Sequence, residues 1–81
     1  MAARKAFNPV KQQEILAHTV RVAMARLDIR TQGQLAVMLG MTRVTLNKRL
    51  THGGWDFVEL CRLFRTLEFT EDEIVRAMGA A

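Results

Sequence analysis

The stretch "TQGQLAVMLGMTRVTLNKRL", residues 31–50, runs for twenty residues without one acid and sets a glycine, Gly40, between two short apolar repeats. Thr31 with Gln34 three residues later has the spacing of a capping box, in which each side chain takes up an unpaired backbone N–H of the other residue. A helix is therefore predicted to start there. It ends at about Leu39, because Gly40 can enter the left-handed conformation without a Cβ clash. Thr42 is the next cap and opens another helix through about Leu50, after which His52-Gly53-Gly54 breaks the chain. Two short helices joined by a tight, glycine-containing turn describe a helix-turn-helix, a motif that presents its second helix to the DNA major groove.

The residue types suit that geometry. Ala36 is small where the two helices must cross closely, and Leu35, Leu39, Met41, Leu46 and Leu50 are apolar where the pair must sit on a core. On the second helix, Arg43, Val44, Asn47, Lys48 and Thr51 recur at intervals of one, three and four residues, which gathers them on one side. That side carries hydrogen-bonding and cationic groups.

Outward from the motif, the same start and stop signals repeat. Asn8-Pro9 puts a capping side chain before a proline at the first helical position, and Ile15, Leu16, Val20, Ala23, Met24 and Leu27 give the following segment one apolar face. Asp56 with Glu59 makes a second capping box, flanked by Trp55 and Leu60 at the spacing of a hydrophobic staple. Phe57, Leu60, Cys61, Phe64 and Leu67 are expected to form its inward stripe. Thr70 with Glu73 repeats the device between Phe69 and Ile74, with Glu71, Asp72 and Glu73 all in the first turn, where the helix dipole favours anions. Gly79 closes this last helix. No segment alternates with a period of two, and no hairpin turn signal occurs, so strands are not expected. The expected fold is all-α: a compact bundle of about five helices, with helices 2 and 3 as the motif, a basic arm over residues 1–8 and one domain over 9–81.

Size and composition narrow the function. A chain of 81 residues makes one domain and buries roughly 60% of the surface its unfolded form exposes. Its single cysteine excludes an intrachain disulfide, and no run of eighteen uncharged apolar residues suggests a membrane span or a secretory signal. A cytoplasmic setting is expected. The net charge of +4 conceals an asymmetry: residues 1–54 carry nine basic residues against two acids, and residues 55–81 carry three against six. The basic end is where a polyanion would bind.

With these pieces in place, the chain resembles the lambda repressor and Cro-like family of phage and bacterial regulators. The resemblance rests on Thr31-Gln32, Leu35-Ala36, Leu39-Gly40-Met41-Thr42 and Leu46, and on the order of one helix before the motif and two after. It covers roughly residues 9–79. It implies a sequence-specific DNA-binding repressor, commonly a dimer on a near-palindromic operator. By position, the resemblance makes Arg43 and Lys48 candidates for guanine O6/N7, Asn47 for adenine and Val44 for a thymine methyl. Gln32 and Thr42, at helix starts, are candidates for phosphate contacts, and Thr45, Arg49 and Thr51 are further backbone candidates. Arg49 stands where the family often has an apolar residue; Leu50 is expected to take over the packing while Arg49 snorkels outward to a phosphate. Arg4 and Lys5 in the arm are placed to reach phosphates or the minor groove.

Other chemistries find little support. His18, His52 and Cys61 do not form a pair with zinc-site spacing, Cys61 reads as a buried small hydrophobe, and Met24, Met38 and Met41 fall at or near core positions. No phosphate loop or nucleophile–base pair occurs, so neither an enzyme nor a cofactor or small-molecule ligand is expected. The competing reading is a protein-interaction module, such as an antitoxin or a host-directed factor, that keeps the helix-turn-helix shape. The acid-free run from Ile29 to Trp55 favours DNA, since a protein-binding derivative has no reason to exclude acids from those helices alone. One short recognition helix reads few base pairs, so a homodimer is expected, paired through Val58, Leu63, Ile74, Val75 and Met78 with the two third helices about 34 Å apart.

Overall fold

A computed structural model describes residues 8–79 as five helices: α1 (Pro9–Arg26), α2 (Gln32–Leu39), α3 (Arg43–His52), α4 (Phe57–Thr66) and α5 (Glu71–Met78). No strand occurs among the described residues. None of their helices is long and apolar enough to cross a membrane. The basic arm with Arg4 and Lys5 falls outside the described residues.

Every helix start follows from a local cap. The Asn8 side chain accepts from the N–H groups of Val10 and Lys11, with Pro9 in the first turn. Thr31, Asp56 and Thr70 each close a full capping box, with Gln34, Glu59 and Glu73 respectively, and Thr42 accepts from the Thr45 N–H. Such caps are worth about 1 kcal/mol each. The helix ends show a second recurring device. Gly40 takes φ 70° after α2, and Met41 N–H returns to the Ala36 carbonyl. Asp28 and Glu68 adopt the same left-handed conformation after α1 and α4, at φ 57° and 53°. There Ile29 N–H bonds back to the Met24 carbonyl and Phe69 N–H to the Phe64 carbonyl. These are Schellman ends, and the apolar residue that follows each left-handed position lies against the core.

The core is built from Leu16, Val20, Ala23 and Met24 of α1, Leu35, Ala36 and Leu39 of α2, Leu46 of α3, Leu63 and Leu67 from α4 and its end, and Ala77 of α5. Helix α1 packs along α5 and α3, while α2 contacts α3 and α4. Leu27, Ile29, Met41, Leu50, Trp55, Leu60, Phe64 and Phe69 fill in around this centre.

Three packing expectations fail. Phe57 is 77% exposed and Cys61 is exposed, so neither belongs to the inward stripe of α4. Leu63 takes that place. Met38, half exposed, stands on the outer side of α2. Leu63, expected at a dimer contact, is fully buried. It faces the centre of the monomer and cannot meet a partner without unfolding it.

Two ion pairs tie the helices together through the capping boxes. Arg26 at the end of α1 donates to both carboxylate oxygens of Glu73, at 3.1 and 3.0 Å, and also reaches the carbonyls of Leu67 and Glu68. Arg49 in α3 donates to both oxygens of Glu59, at 2.9 and 3.4 Å. In each case the third residue of a helix serves its own cap and an arginine of another helix together. The carboxylate has lone pairs enough for both tasks.

Candidate nucleic-acid interface

The site is the outer face of α3 with the start of α2. Leu46 sits at zero exposure on the inner side of α3 and Leu50 packs beside it, which fixes the rotation of the helix about its axis. Position along the axis is set at both ends. The turn through Gly40 leads into the Thr42 cap, whose hydroxyl accepts from Thr45 N–H at 3.1 Å and donates to Thr45 Oγ1 at 2.9 Å. At the far end, the Gln13 amide of α1 donates to the carbonyls of Arg49 and Leu50. Helix α3 is thus held by neighbours on its inner side and at both termini.

What remains outward is Arg43, Val44, Asn47, Lys48 and Thr51, all exposed. The structure therefore gathers on one side the residues whose spacing grouped them. Val44 is 66% exposed and does not pack inward. Thr45 is half-buried, with its hydroxyl engaged by Thr42. Gln32 stands half-buried at the first position of α2.

Arg49 departs from its expected role. Its guanidinium turns to Glu59 across the Gly53-Gly54 turn, with 29% of the side chain exposed, and does not project from the outer face. The hydrogen bond it donates to Glu59 raises its pKa above the ordinary arginine value, and the same bond holds the Glu59 carboxyl below the usual range. Its charge is spent on joining α3 to α4.

The electrostatics of the face follow from what is missing. Among the described residues the ion pairs are Arg26–Glu73, Arg30–Asp28 and Arg49–Glu59, so Arg43 and Lys48 have no acidic partner. A helix dipole favours acids in the first turn, as Glu71, Asp72 and Glu73 supply in α5 and Glu59 in α4. The first turns of α1, α2 and α3 hold none. Arg43 even places a cation at the first position of α3, against the dipole. The outer face of α3 therefore carries uncompensated positive potential at a rigidly held helix.

Of the expected dimer residues, Val58, Val75 and Met78 are exposed, at 60, 40 and 47%, and Ile74 is half-buried. Among the described residues no group of three or more His, Cys, Asp or Glu side chains converges as a metal site. No family model, curated protein or solved structure matches the chain.

Proposed function

We propose that the chain is a sequence-specific DNA-binding regulator that docks the outer face of α3 in the major groove, in the manner of a Cro-type or immunity repressor. The observation that carries the reading is the exposed, unpaired set Arg43, Asn47 and Lys48 on a helix free of acids. Arginine and lysine match the guanine O6/N7 edge, asparagine matches adenine, and Val44 offers a methyl surface for thymine. The N–H groups at the starts of α2 and α3, beside Gln32 and Thr42, suit phosphate oxygens. A cation at the first position of α3 works against helix stability, and it is useful where a polyanion arrives. The resemblance of the α2–α3 segment to the repressor helix-turn-helix extends the reading to promoter repression, with two copies on a near-palindromic site.

A gel-shift titration on genomic fragments over a range of salt tests this. Each neutralised phosphate releases counterions and contributes roughly −0.9 to the slope of log affinity against log salt. A steep slope with preferred fragments is expected. A flat slope and no preferred fragment would assign the face to a protein partner.

A further inference from the structure

The outer side of α4 is apolar at one end and basic at the other. Phe57, Val58, Cys61, Arg62 and Arg65 follow one another at spacings of three and four residues, all exposed, on the side away from the buried Leu63. Phe57 keeps 77% of its surface in water and Val58 60%. Adjacent on one turn, with Cys61 one turn further on, they make a continuous apolar patch rather than a scattered one. No carboxylate of α4 shares this side. Asp56 is the N-cap and accepts from the Glu59 N–H. Both oxygens of Glu59 are taken by Arg49, and one of them by the Asp56 N–H as well. Arg62 donates to the Leu39 carbonyl at 3.4 Å, and neither Arg62 nor Arg65 has an acidic partner among the described residues.

We propose that this stripe docks a helix of a second, different protein, one that carries acids in its first turn and an apolar stripe behind them and lies antiparallel to α4. The charge pattern selects this occupant. Antiparallel packing brings the first turn of the incoming helix to the level of Arg62 and Arg65, where its acids are favoured both by its own dipole and by two guanidiniums without acidic partners. Its following turns then cover Cys61, Val58 and Phe57 with apolar side chains at i, i+3, i+4 and i+7. Other occupants fit less well. A second copy offering the same stripe sets four guanidiniums along one seam with no carboxylate between them. Nucleic acid would satisfy the guanidiniums and leave Phe57 and Val58 uncovered. A helix that lies in a lipid surface divides its polar and apolar residues around the axis, whereas α4 divides them along it. The stripe takes in no residue of the outer face of α3, and it withdraws Val58 from the contact expected between copies. A helix of ten residues makes an interface below about 1,200 Å², so the complex is transient, with a dissociation constant on the order of 100 µM.

The probe is a synthetic helical peptide of about eighteen residues, with glutamates in its first turn and leucines at the docking positions, titrated by NMR into the isotopically labelled full chain without DNA. Saturable shifts of the amides of residues 57–65, with those of α3 unmoved, are expected. Replacing the peptide's glutamates by lysines is expected to weaken binding about tenfold. Arg65→Glu in the chain should do the same to the glutamate peptide and restore binding of the lysine one, and Phe57→Ala should weaken both. Both positions are exposed, and circular dichroism checks that the variants stay folded. Three results would overturn the proposal: no saturable shift on α4, equal affinity for the two peptides, or indifference to Arg65→Glu. It is equally overturned if the α4 shifts come instead from raising the chain's own concentration, from phosphatidylglycerol vesicles or from duplex DNA, which assign the stripe to a second copy, a lipid surface or nucleic acid respectively. Because the peptide titration holds no DNA, its failure leaves the reading of α3 untouched.

Discussion

The side-chain nitrogen of Gln13 lies 2.6 Å from the carbonyl oxygen of Leu50, which joins the first turns of α1 to the last turn of α3. The same nitrogen is 2.8 Å from the Arg49 carbonyl, which also accepts from the Gly53 N–H, so one amide reaches two carbonyls of the last turn of α3. Gln12 does the same for α5 through the carbonyls of Arg76 and Ala77. Two adjacent glutamines thereby anchor the C-terminal ends of two different helices. Gln13→Ala takes the Gln13 partner from the half-buried Leu50 carbonyl, while the Arg49 carbonyl keeps the Gly53 N–H, and is expected to destabilise the fold by about 1–2 kcal/mol, read as a lower urea midpoint. The last turn of α3 should lose amide protection before the rest of the helix.

The two arginine–glutamate pairs make stability depend on acid. Glu59 and Glu73 are both held below the usual carboxylate range, first by the arginine hydrogen bond and then by the N–H of the capping residue. A carboxyl whose folded pKa lies below its unfolded value, about 4.3 for glutamate, stabilises the fold above that value. The stabilisation is lost as pH falls through the folded pKa. Urea midpoints should therefore hold near neutrality and fall below about pH 4.3. Glu73→Gln should lower the midpoint at neutral pH, with the gap to wild type closing on acidification. A gap that ignores pH would assign the Glu73 contribution to shape alone.

The parts of the fold that were legible in the sequence are those decided within four residues. Thr31 with Gln34, Asp56 with Glu59 and Thr70 with Glu73 are local pairs, and all three form. The face of α3 was legible for the same reason, because Arg43, Asn47 and Lys48 follow one helical period around the buried Leu46. The phase of α4 was not. Phe57, Val58, Leu60, Cys61, Leu63 and Phe64 surround that helix with apolar groups, so periodicity alone does not choose between Leu63 and Phe57 as the inward residue. The choice is made by α2 and the remainder of the core. Arg49 was misread for a related reason: its partner Glu59 is already engaged in a capping box, and only the Gly53-Gly54 turn brings the two together.

Glu68 offers a test of the recurring helix end. It holds φ 53° after α4, a conformation that strains a residue with a Cβ. Its carbonyl, which accepts from Arg26, is backbone and survives substitution. Glu68→Gly is expected to raise stability by up to about 1 kcal/mol, since relief of strain outweighs the greater freedom of the unfolded chain. Thermal unfolding at neutral pH measures it, and a fall in stability would show that Glu68 sits there without strain.

Substitutions on α3 should separate base reading from simple attraction. Lys48→Ala and Arg43→Ala are each expected to relax preference at one base position by about 1–3 kcal/mol and to leave unfolding nearly unchanged. Arg49→Ala should do the reverse: it frees the half-buried Glu59 carboxylate and costs stability, with base preference following only as α3 loosens. Selection from a randomised duplex pool, run for each variant, distinguishes these patterns.

The most direct measurement is an NMR titration of the isotopically labelled chain with short duplex DNA, following every backbone amide. Shifts concentrated on Gln32 and on Thr42 through Thr51, fading with added salt, are the predicted result. No shift on α3, or shifts confined to α4 and α5, would contradict the assignment of the acid-free face to DNA.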